Sequence, residues 1–449
     1  MRAMKPAEPS RTGPHPTVRR GGAVQALLGR LPQGDRRSAT PPALDPGLPV
    51  LLVRLGHYPN HHGTTGVIRT VGRAGVPVYA VTEPGITPAS SSRYLSGRVE
   101  LPSGDQADQS TLLNRLVEQV DRLPAKPLLV ATDDKAAILI AEGADALAGR
   151  AITAAIPPDL PRQLASKTGL HEICLRVGIA RPATTPVASG DELEATVADF
   201  GLPAVVKEDP PWSHLTRARS SIVVRTNEDV RRLRTAIDNS TGYSDVVVQQ
   251  YLPDHDSEDW FVHGYCTASS EVARIYTGRK MWQFPVRGGV TVYGRTERNE
   301  EVERLAIKLC RSIGYCGIFD LDWRYDKRTD TYFLLDFNPR IGAQFRMFED
   351  DEGIDVVRAM HLDLSGRPLK PASQPEGERF FVENLGIAAH RYYKEDPLPP
   401  EIPGAPARVR LAWFSPDDPR PFFVMIGSQL AASARKRLPA LTPRTSAGT

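Results

Sequence analysis

The stretch that decides the fold is YFLLDFNPR, residues 332–340. It is as aromatic and aliphatic as a buried strand, yet it carries Asp336 and Asn338 two residues apart and ends at Pro339 and Arg340. Strand side chains alternate between two faces, so the stretch predicts one apolar face and one polar face. The predicted core face consists of Phe333, Leu335 and Phe337, and the predicted site face consists of Leu334, Asp336 and Asn338.

A second strand, GIFDLDW at residues 317–323, is predicted to pair with the first as a hairpin. Its apolar residues alternate with acids: Phe319, Leu321 and Trp323 with Asp320 and Asp322. Pairing brings Asp322, Asp336 and Asn338 together, and carboxylates on one wall repel each other unless a cation lies between them. Mg²⁺ takes such oxygen ligands. A solvated amphipathic hairpin is the alternative, although solvation requires neither the Asn nor the Pro-Arg end.

These two strands resemble the metal-binding hairpin of ATP-grasp ligases, in which an acid on one strand is followed by acid-x-Asn-x-Arg on the next. The resemblance implies that Asp322, Asp336 and Asn338 bind Mg²⁺, with Mn²⁺ as an alternative. It also implies that Arg340 is catalytic and stabilises the transferred phosphoryl group. The turn DKRTD, residues 326–330, is slightly longer than in the family.

Further elements that resemble the family precede the hairpin in the family's order. Lys167 resembles the basic residue at the start of a helix that leads to a GI-x-x-P loop, and Lys207 resembles the strand lysine that contacts ATP phosphates during catalysis. VVVQQYLP, residues 246–253, resembles the hinge that holds adenine. The resemblance implies nucleotide contacts from Gln249, Gln250 and Leu252, and a ribose contact from Glu258.

The predicted lid departs from the family pattern. After Lys207 the family often has a Gly-rich loop that holds phosphate, whereas this chain has DPPWSHLTRARSS at residues 209–221, without glycine. Arg217 and Arg219 are predicted to supply the positive charge instead, and a solvated basic loop is the alternative. A similarly Gly-poor lid and GRKMWQFP, residues 278–285, resemble the predicted ATP-grasp carboligases related to D-aspartate ligase.

The sequence pattern predicts a mixed fold class, α/β and α+β, in which a Rossmann-like pre-ATP-grasp domain precedes the ATP-grasp fold. Strands alternate with helices up to about residue 160, and antiparallel strands follow. Five segments are predicted: a disordered extension (1–47), the pre-ATP-grasp domain (48–160), the lid subdomain with its entry helix (161–255), the metal and ATP-binding subdomain (256–395) and a partly disordered C-terminal extension (396–449).

Two constellations in the first domain leave alternatives open. His57, His61 and His62 are interpreted as loop histidines, as metal ligands, or as neighbours of a helix N-terminus at which Thr64 or Thr65 binds a substrate carboxylate. Asp133 and Asp134 are predicted to cap the next helix, with substrate amine binding as the alternative.

Composition narrows the function further. The net charge is only +3, which gives no reason to expect nucleic acid as a partner. The four cysteines form no C-x-x-C pair and favour a reducing compartment, so we expect a cytoplasmic protein without a membrane span. The resemblance implies an ATP-dependent ligase that joins a small-molecule carboxylate, an amino acid among the candidates, to an amine through an acyl phosphate. A homo-oligomer remains open.

Two other functions compete with the ligase. A non-catalytic ATP-binding ATP-grasp module is suggested by the Gly-poor lid. A dinucleotide-dependent oxidoreductase would use the first α/β unit, but HHGTTG, residues 61–66, is a weak substitute for G-x-G-x-x-G.

Overall fold

The strands of the protein form three sheets, which we call the N-terminal sheet, the middle sheet and the large sheet. The computed structural model describes residues 41–104, 107–209, 221–239, 246–286, 288–393, 402 and 409–437. Arg217, Arg219 and most of the predicted N-terminal extension lie outside these ranges. Within them, no helix has both the length and the apolar composition needed to cross a membrane.

The N-terminal sheet is parallel, with strand order β3-β2-β1-β4. Its elements are β1 Val50–Val53, α1 His62–Gly72, β2 Val78–Val81, β3 Gly97–Val99, α2 Gln109–Asp121, β4 Leu128–Ala131, α3 Asp134–Glu142 and α4 Ala144–Leu147. The central strand β1 is wholly buried, as expected of a short apolar run with helices on both sides. The carboxyl ends of β1 and β4 lead to the loops that carry His57–His61 and Asp133, at the edge where such sheets bind ligands.

The middle sheet is antiparallel, with order β5-β8-β6-β7. It follows α5 Leu160–Ala165 and α6 Lys167–Val177, and its elements are β5 Thr184–Val187, α7 Gly190–Phe200, β6 Ala204–Glu208, β7 Ser221–Val224, α8 Asn227–Asp238 and β8 Val246–Gln250. Apolar residues of α7 and α8 cover one face of this sheet together with Ala204 and Val206 of β6. Strand alternation therefore turns Lys207 to the opposite face.

The large sheet has the order β13-β12-β9-β10-β11-β14-β15. Its elements are β9 Ser257–Cys266, β10 Val272–Phe284, β11 Val290–Thr296, α9 Glu300–Ser312, β12 Gly317–Asp326, β13 Thr331–Asn338, α10 Val356–Leu364, β14 Arg379–Phe381, α11 Glu383–Tyr393, β15 Val409–Leu411 and α12 Arg420–Arg437. Helices α6 and α9 pack with Phe319, Leu321 and Trp323 of β12, as the alternation predicts.

A bulge in the β12–β13 hairpin changes the alternation predicted for β13. Asp322 pairs with Asp336, but Trp323 pairs with Leu334, so Leu335 has no partner on β12. The extra residue places Leu334 in the core and turns Phe333, opposite Arg324, to the polar face. The prediction that Phe333 and Leu335 face the core is therefore wrong, whereas Asp336 lies beyond the bulge and faces the site as predicted.

Part of the predicted C-terminal extension belongs to the fold. Strand β15 pairs in parallel with β14, and residues 409–418, which we call the C-terminal strap, run back to the N-terminal sheet. There Arg69 of α1 forms a buried ion pair with Asp418, with 3.0 Å between Nε and Oδ2. The strap thus connects the large sheet to the N-terminal sheet.

Candidate active site

The polar face of the β12–β13 hairpin brings the three predicted metal ligands together. Asp322 lies directly opposite Asp336, and Asn338 is two pairs further along, on the same face and opposite Asp320. Each carboxylate of the first pair holds a lysine from another element: Lys280 of β10 donates to Asp322 at 2.6 Å, and Lys167 of α6 donates to Asp336 at 2.5 Å. The hairpin therefore presents carboxylates that are already balanced by cations.

Several cations surround Asp336. Although burial raises it, the pKa of this carboxyl lies below its usual value because Lys167 and Lys207 favour the charged form. Burial lowers the pKa of Lys207 to about 8, against the opposing effect of Asp336. Arg181, which precedes β5, adds a third positive charge near the same carboxylate. This excess of positive charge, between the middle and large sheets, suits a polyanion such as a nucleotide phosphate chain.

Arg340 lies between carboxylates from two sheets. Its Nη1 donates to Asp320 at 3.1 Å, and its Nε lies 3.3 Å from Oδ1 of Asp134, the first residue of α3. Burial lowers the pKa of Arg340, but Asp134 and Asp320 outweigh that effect and raise it. The guanidinium is thus fixed where the N-terminal sheet meets the hairpin.

Asp209 positions the start of α6. Its carboxylate accepts hydrogen bonds from the backbone N–H groups of Lys167 and Thr168 and from the side chains of Ser166 and Thr168, at 2.7–3.0 Å. Asp209 follows β6 by one residue, so the middle sheet and the helix that carries Lys167 are joined at this point. Asp209 therefore holds together the two elements that carry the lysines, α6 with Lys167 and β6 with Lys207.

The donor set fits Mg²⁺. Among the described residues, no group of three His, Cys, Asp or Glu side chains could hold a metal ion, so a fully protein-bound site of that kind is not formed. Two carboxylates and one amide are present instead, and Asn338 donates through Nδ2 to Asp320 at 3.2 Å, which leaves its oxygen as an acceptor. Mg²⁺ typically takes one or two protein carboxylates and completes its shell with water and substrate phosphates.

Several polar groups of the predicted adenine hinge already form hydrogen bonds with other residues of the protein. Gln249 lies on the same face of the middle sheet as Lys207, but it is buried and its Nε2 donates to Thr184 at 2.9 Å. The backbone N–H of Gln250 donates to Ala183 at 2.9 Å. The carbonyl of Leu252 accepts from Arg324 at 3.1 Å. The side chain of Gln250 is exposed, but strand alternation places it on the face of the middle sheet opposite Lys207 and Gln249.

Glu258 is not brought to the other predicted site residues. It pairs with Tyr325 on β12, whereas Asp322 and Arg324 lie on the opposite face, and its carboxylate binds Arg279 at 2.7 Å and Lys327 at 2.9 Å. Its neighbour Asp259 pairs with Arg324 and lies on the site face. A loop length that differs from the family by one residue is enough to exchange the two acids, because strand faces alternate.

The structure shows the contacts of the aspartates and histidines whose roles the sequence left open. Asp133 caps α3, accepting from Ala136 at 2.8 Å and from the N–H groups of Leu55 and Gly56, so the capping interpretation is correct for this residue. Asp134 instead faces Arg340. His61 caps α1 through Nδ1, which accepts from Thr64, and the ring of His62 packs against Trp413 of the strap.

Sequence reasoning missed four charged residues of this site: Asp209, Lys280, Arg181 and Arg324. Lys280 lies within GRKMWQFP, so the motif was visible while its role was not. The other three act across long sequence separations that no local pattern reveals.

Comparison of the sequence with known proteins identifies several that are similar to this chain. No protein-family model matches the chain. D-aspartate ligase of Enterococcus faecium is 23% identical over 263 residues, which are 56% of this chain and 62% of the ligase. Pyruvate carboxylase of Schizosaccharomyces pombe is 24% identical over 253 residues, 54% of this chain and 20% of the carboxylase. The chain thus spans about three-fifths of the ligase and one-fifth of the carboxylase.

Solved structures agree on the fold. The ADP complex of an N5-carboxyaminoimidazole ribonucleotide synthetase has a TM-score of 0.57 and 10% identity, covering 75% of this chain and 81% of that one. An ATP-analogue complex of biotin carboxylase from Campylobacter jejuni has a TM-score of 0.54 and 13% identity, covering 74% of each chain. All these proteins are ATP-grasp enzymes. The protein therefore has the ATP-grasp fold preceded by a Rossmann-like unit, which confirms the predicted fold class.

Proposed function

We propose that the protein is an ATP-dependent ligase that joins a carboxylate to an amine through an acyl phosphate and releases ADP and phosphate. The observation that carries this proposal is the meeting of Lys167, Lys207 and Asp336 from three elements, opposite Asp322. The similarity to D-aspartate ligase supports the reaction class. The proposal keeps the cytoplasm as the location, because the described cysteines are free thiols.

The chain's own residues act mainly on charge and position. A carboxylate is a poor electrophile, and phosphorylation converts one of its oxygens into a leaving group that an amine can displace. Lys167 and Lys207 hold the phosphates as point charges, and Arg340 stabilises the charge on the transferred group through its planar donors. Asp134 and Asp320 fix Arg340 before the substrate arrives, which lowers the reorganisation needed during the reaction.

Asp322, Asp336 and Asn338 would hold Mg²⁺, which when bound neutralises phosphate charge. The ammonium groups of Lys280 and Lys167 pair with two of these carboxylates, and the same positive charges would attract anionic groups of the substrates beside Mg²⁺. The solved relatives in complexes with ADP, ATP and MgADP support this pair of cofactors.

The acid is proposed to be a small carboxylate, with amino acids as the first class to test because one relative is a D-aspartate ligase. Bicarbonate belongs in the same screen because other relatives are carboxylases. The non-catalytic alternative is not favoured, since a binding module has no need of the metal ligands, Lys207 and Arg340 together.

Hydroxylamine trapping tests the reaction. Each acid is incubated with the protein, ATP, Mg²⁺ and hydroxylamine, and the nucleotide and hydroxamate are measured together. We expect hydroxamate and ADP in equal amounts, and we expect K207M to reduce both. If AMP rather than ADP forms in an amount equal to the hydroxamate, the protein activates the acid by adenylation and the proposed mechanism is wrong. ADP without hydroxamate for every acid, under conditions in which K207M abolishes it, would make the protein an ATPase.

A further inference from the structure

The bulge in β13 is held by the segment that leads into the middle sheet. The N–H of Leu334 donates to the carbonyl of Ala180 at 2.9 Å. Nη1 of Arg181 donates to two consecutive carbonyls of the bulge, that of Leu334 at 3.2 Å and that of Leu335 at 2.8 Å. These three hydrogen bonds tie residues 180–181 to the position directly before Asp336.

Burial makes these hydrogen bonds important. Arg181 is only 8% exposed, and its Nε and Nη2 find no hydrogen-bond partner among the residues that the structure describes. A guanidinium in this position is costly to bury. A bulge interrupts the regular ladder, and burying a carbonyl without a hydrogen-bond donor is costly. Arg181 donates to two carbonyls of the bulge with one donor group.

The sequence of β13 also offers a competing arrangement. In a regular strand, Phe333, Leu335 and Phe337 would share one face, which is the pattern that the residues themselves predict. The observed strand departs from it, since Leu334 and Phe337 are buried in the core and Phe333 is turned toward the site. A contact from outside the hairpin can favour the bulged form, and Arg181 makes such side-chain contacts.

We propose that Arg181 is a positioning residue for Asp336: by holding the bulge at Leu334 and Leu335, it sets the orientation in which Asp336 stands opposite Asp322. This inference rests on the proposed function, because it takes Asp336 as a ligand of Mg²⁺. It also joins the metal site to the entry of the middle sheet, since β5 begins three residues after Arg181.

Binding of Mn²⁺ in the presence of ADP tests the inference without turnover. Electron paramagnetic resonance measures free Mn²⁺ against protein concentration for the full chain. We expect R181M to weaken Mn²⁺ binding about tenfold to a hundredfold, as for residues that orient metal ligands. R181K, which keeps a donor, should lose less and provides the comparison if R181M does not fold. R274M, which removes another buried arginine bound to backbone carbonyls, should lower thermal stability but leave Mn²⁺ binding unchanged.

Removal of the bulge provides the discriminating variant. Deleting Leu335 leaves the pairs Trp323–Leu334 and Asp322–Asp336 on their observed faces but gives a regular ladder. In the R181M background this deletion should restore Mn²⁺ binding, because no bulge carbonyl then needs Arg181. If R181M binds Mn²⁺ as the unmodified protein does, or if the deletion fails to restore binding, Arg181 does not act through the bulge. If the unmodified protein itself binds no Mn²⁺ with ADP, the proposed function fails and the inference with it.

Discussion

Positively charged side chains from three separate parts of the chain lie near Asp336. Lys167 begins α6, Lys207 lies on β6, and Arg181 lies between α6 and β5, yet all three act on this one carboxylate. Its pKa is consequently kept below the usual range, which favours the ionised form. A carboxylate that stays charged is ready to take a cation without first losing a proton.

Replacement of this residue tests the metal site. Asp336→Asn keeps the shape of the side chain but removes its charge, so ADP formation should fall at least about a hundredfold. The matched control is Asp330→Asn in the turn of the same hairpin, where Asp330 has φ +51° and accepts a hydrogen bond from the hydroxyl of Tyr325. Steady-state assays at saturating Mg²⁺ make the comparison. Equal activity of the two variants would remove Asp336 from the site.

His62 gives a pH-dependent prediction for stability. Burial lowers its pKa to about 3, with a further contribution from Arg346, whereas the unfolded value is 6.5. Protonation therefore favours the unfolded chain. The stability contributed by neutral His62 is complete above pH 6.5 and is lost as the pH falls toward 3, at up to about 1.4 kcal/mol per pH unit.

Urea unfolding at pH 7.0, 5.5 and 4.5 measures this effect. His62→Phe retains a ring against Trp413 but cannot be protonated, so its free energy of unfolding should decline less steeply between pH 6.5 and 4.5. A variant with the same pH slope as the unmodified protein would mean that His62 is not the group responsible.

At the scale of elements, α6 depends on an anchor from the middle sheet. Asp209 accepts four hydrogen bonds at the start of this helix. Asp209→Ala should lower the free energy of unfolding by about 1–2 kcal/mol, as for loss of a helix cap, and should also weaken ADP binding because Lys167 is displaced. Ser189→Ala, which removes the cap of α7, should have a similar effect on stability without the change in ADP binding. Calorimetry measures ADP affinity. If Asp209→Ala binds ADP as tightly as the unmodified protein, Asp209 does not contribute to the nucleotide site.

The β12–β13 hairpin shows how far the sequence predicts this fold. Alternation on β12 and the Asp-x-Asn-x-Arg ending of β13 are local patterns, so the pairing of Asp322 with Asp336 could be predicted. The bulge could not, because its hydrogen-bond partners are residues 180–181, about 150 residues earlier. The ion pair of Lys280 with Asp322 was missed for the same reason. Glu258 was misplaced because one residue of register decides which acid faces the site.

At the scale of the whole molecule, the C-terminal strap connects two of the three sheets. Glu383 accepts hydrogen bonds from the backbone of Ala412, Trp413 and Phe414, and Asp418 accepts from Arg69, Ser92 and the N–H of Arg93. The strap therefore contacts both the large sheet and the N-terminal sheet. The buried Arg69 depends on it for its counter-charge, since its side chain is fully inaccessible.

Loss of that counter-charge should be strongly destabilising. Asp418→Asn leaves Arg69 buried without a partner of opposite charge, which costs about 3–5 kcal/mol in the free energy of unfolding. Glu118→Gln, which breaks the exposed pair with Arg115, should change it by less than about 1 kcal/mol. Denaturant unfolding compares the two variants. Similar values for both would mean that Arg69 is solvated or neutralised by another group.

The ion pair of Arg69 with Asp418 also bears on the order in which the chain acquires its structure. Its two partners are 349 residues apart, and synthesis proceeds from the N-terminus. Helix α1 therefore leaves the ribosome before the carboxylate that pairs with Arg69 has been synthesised. We therefore expect the N-terminal sheet to acquire this buried ion pair only after the strap has been synthesised.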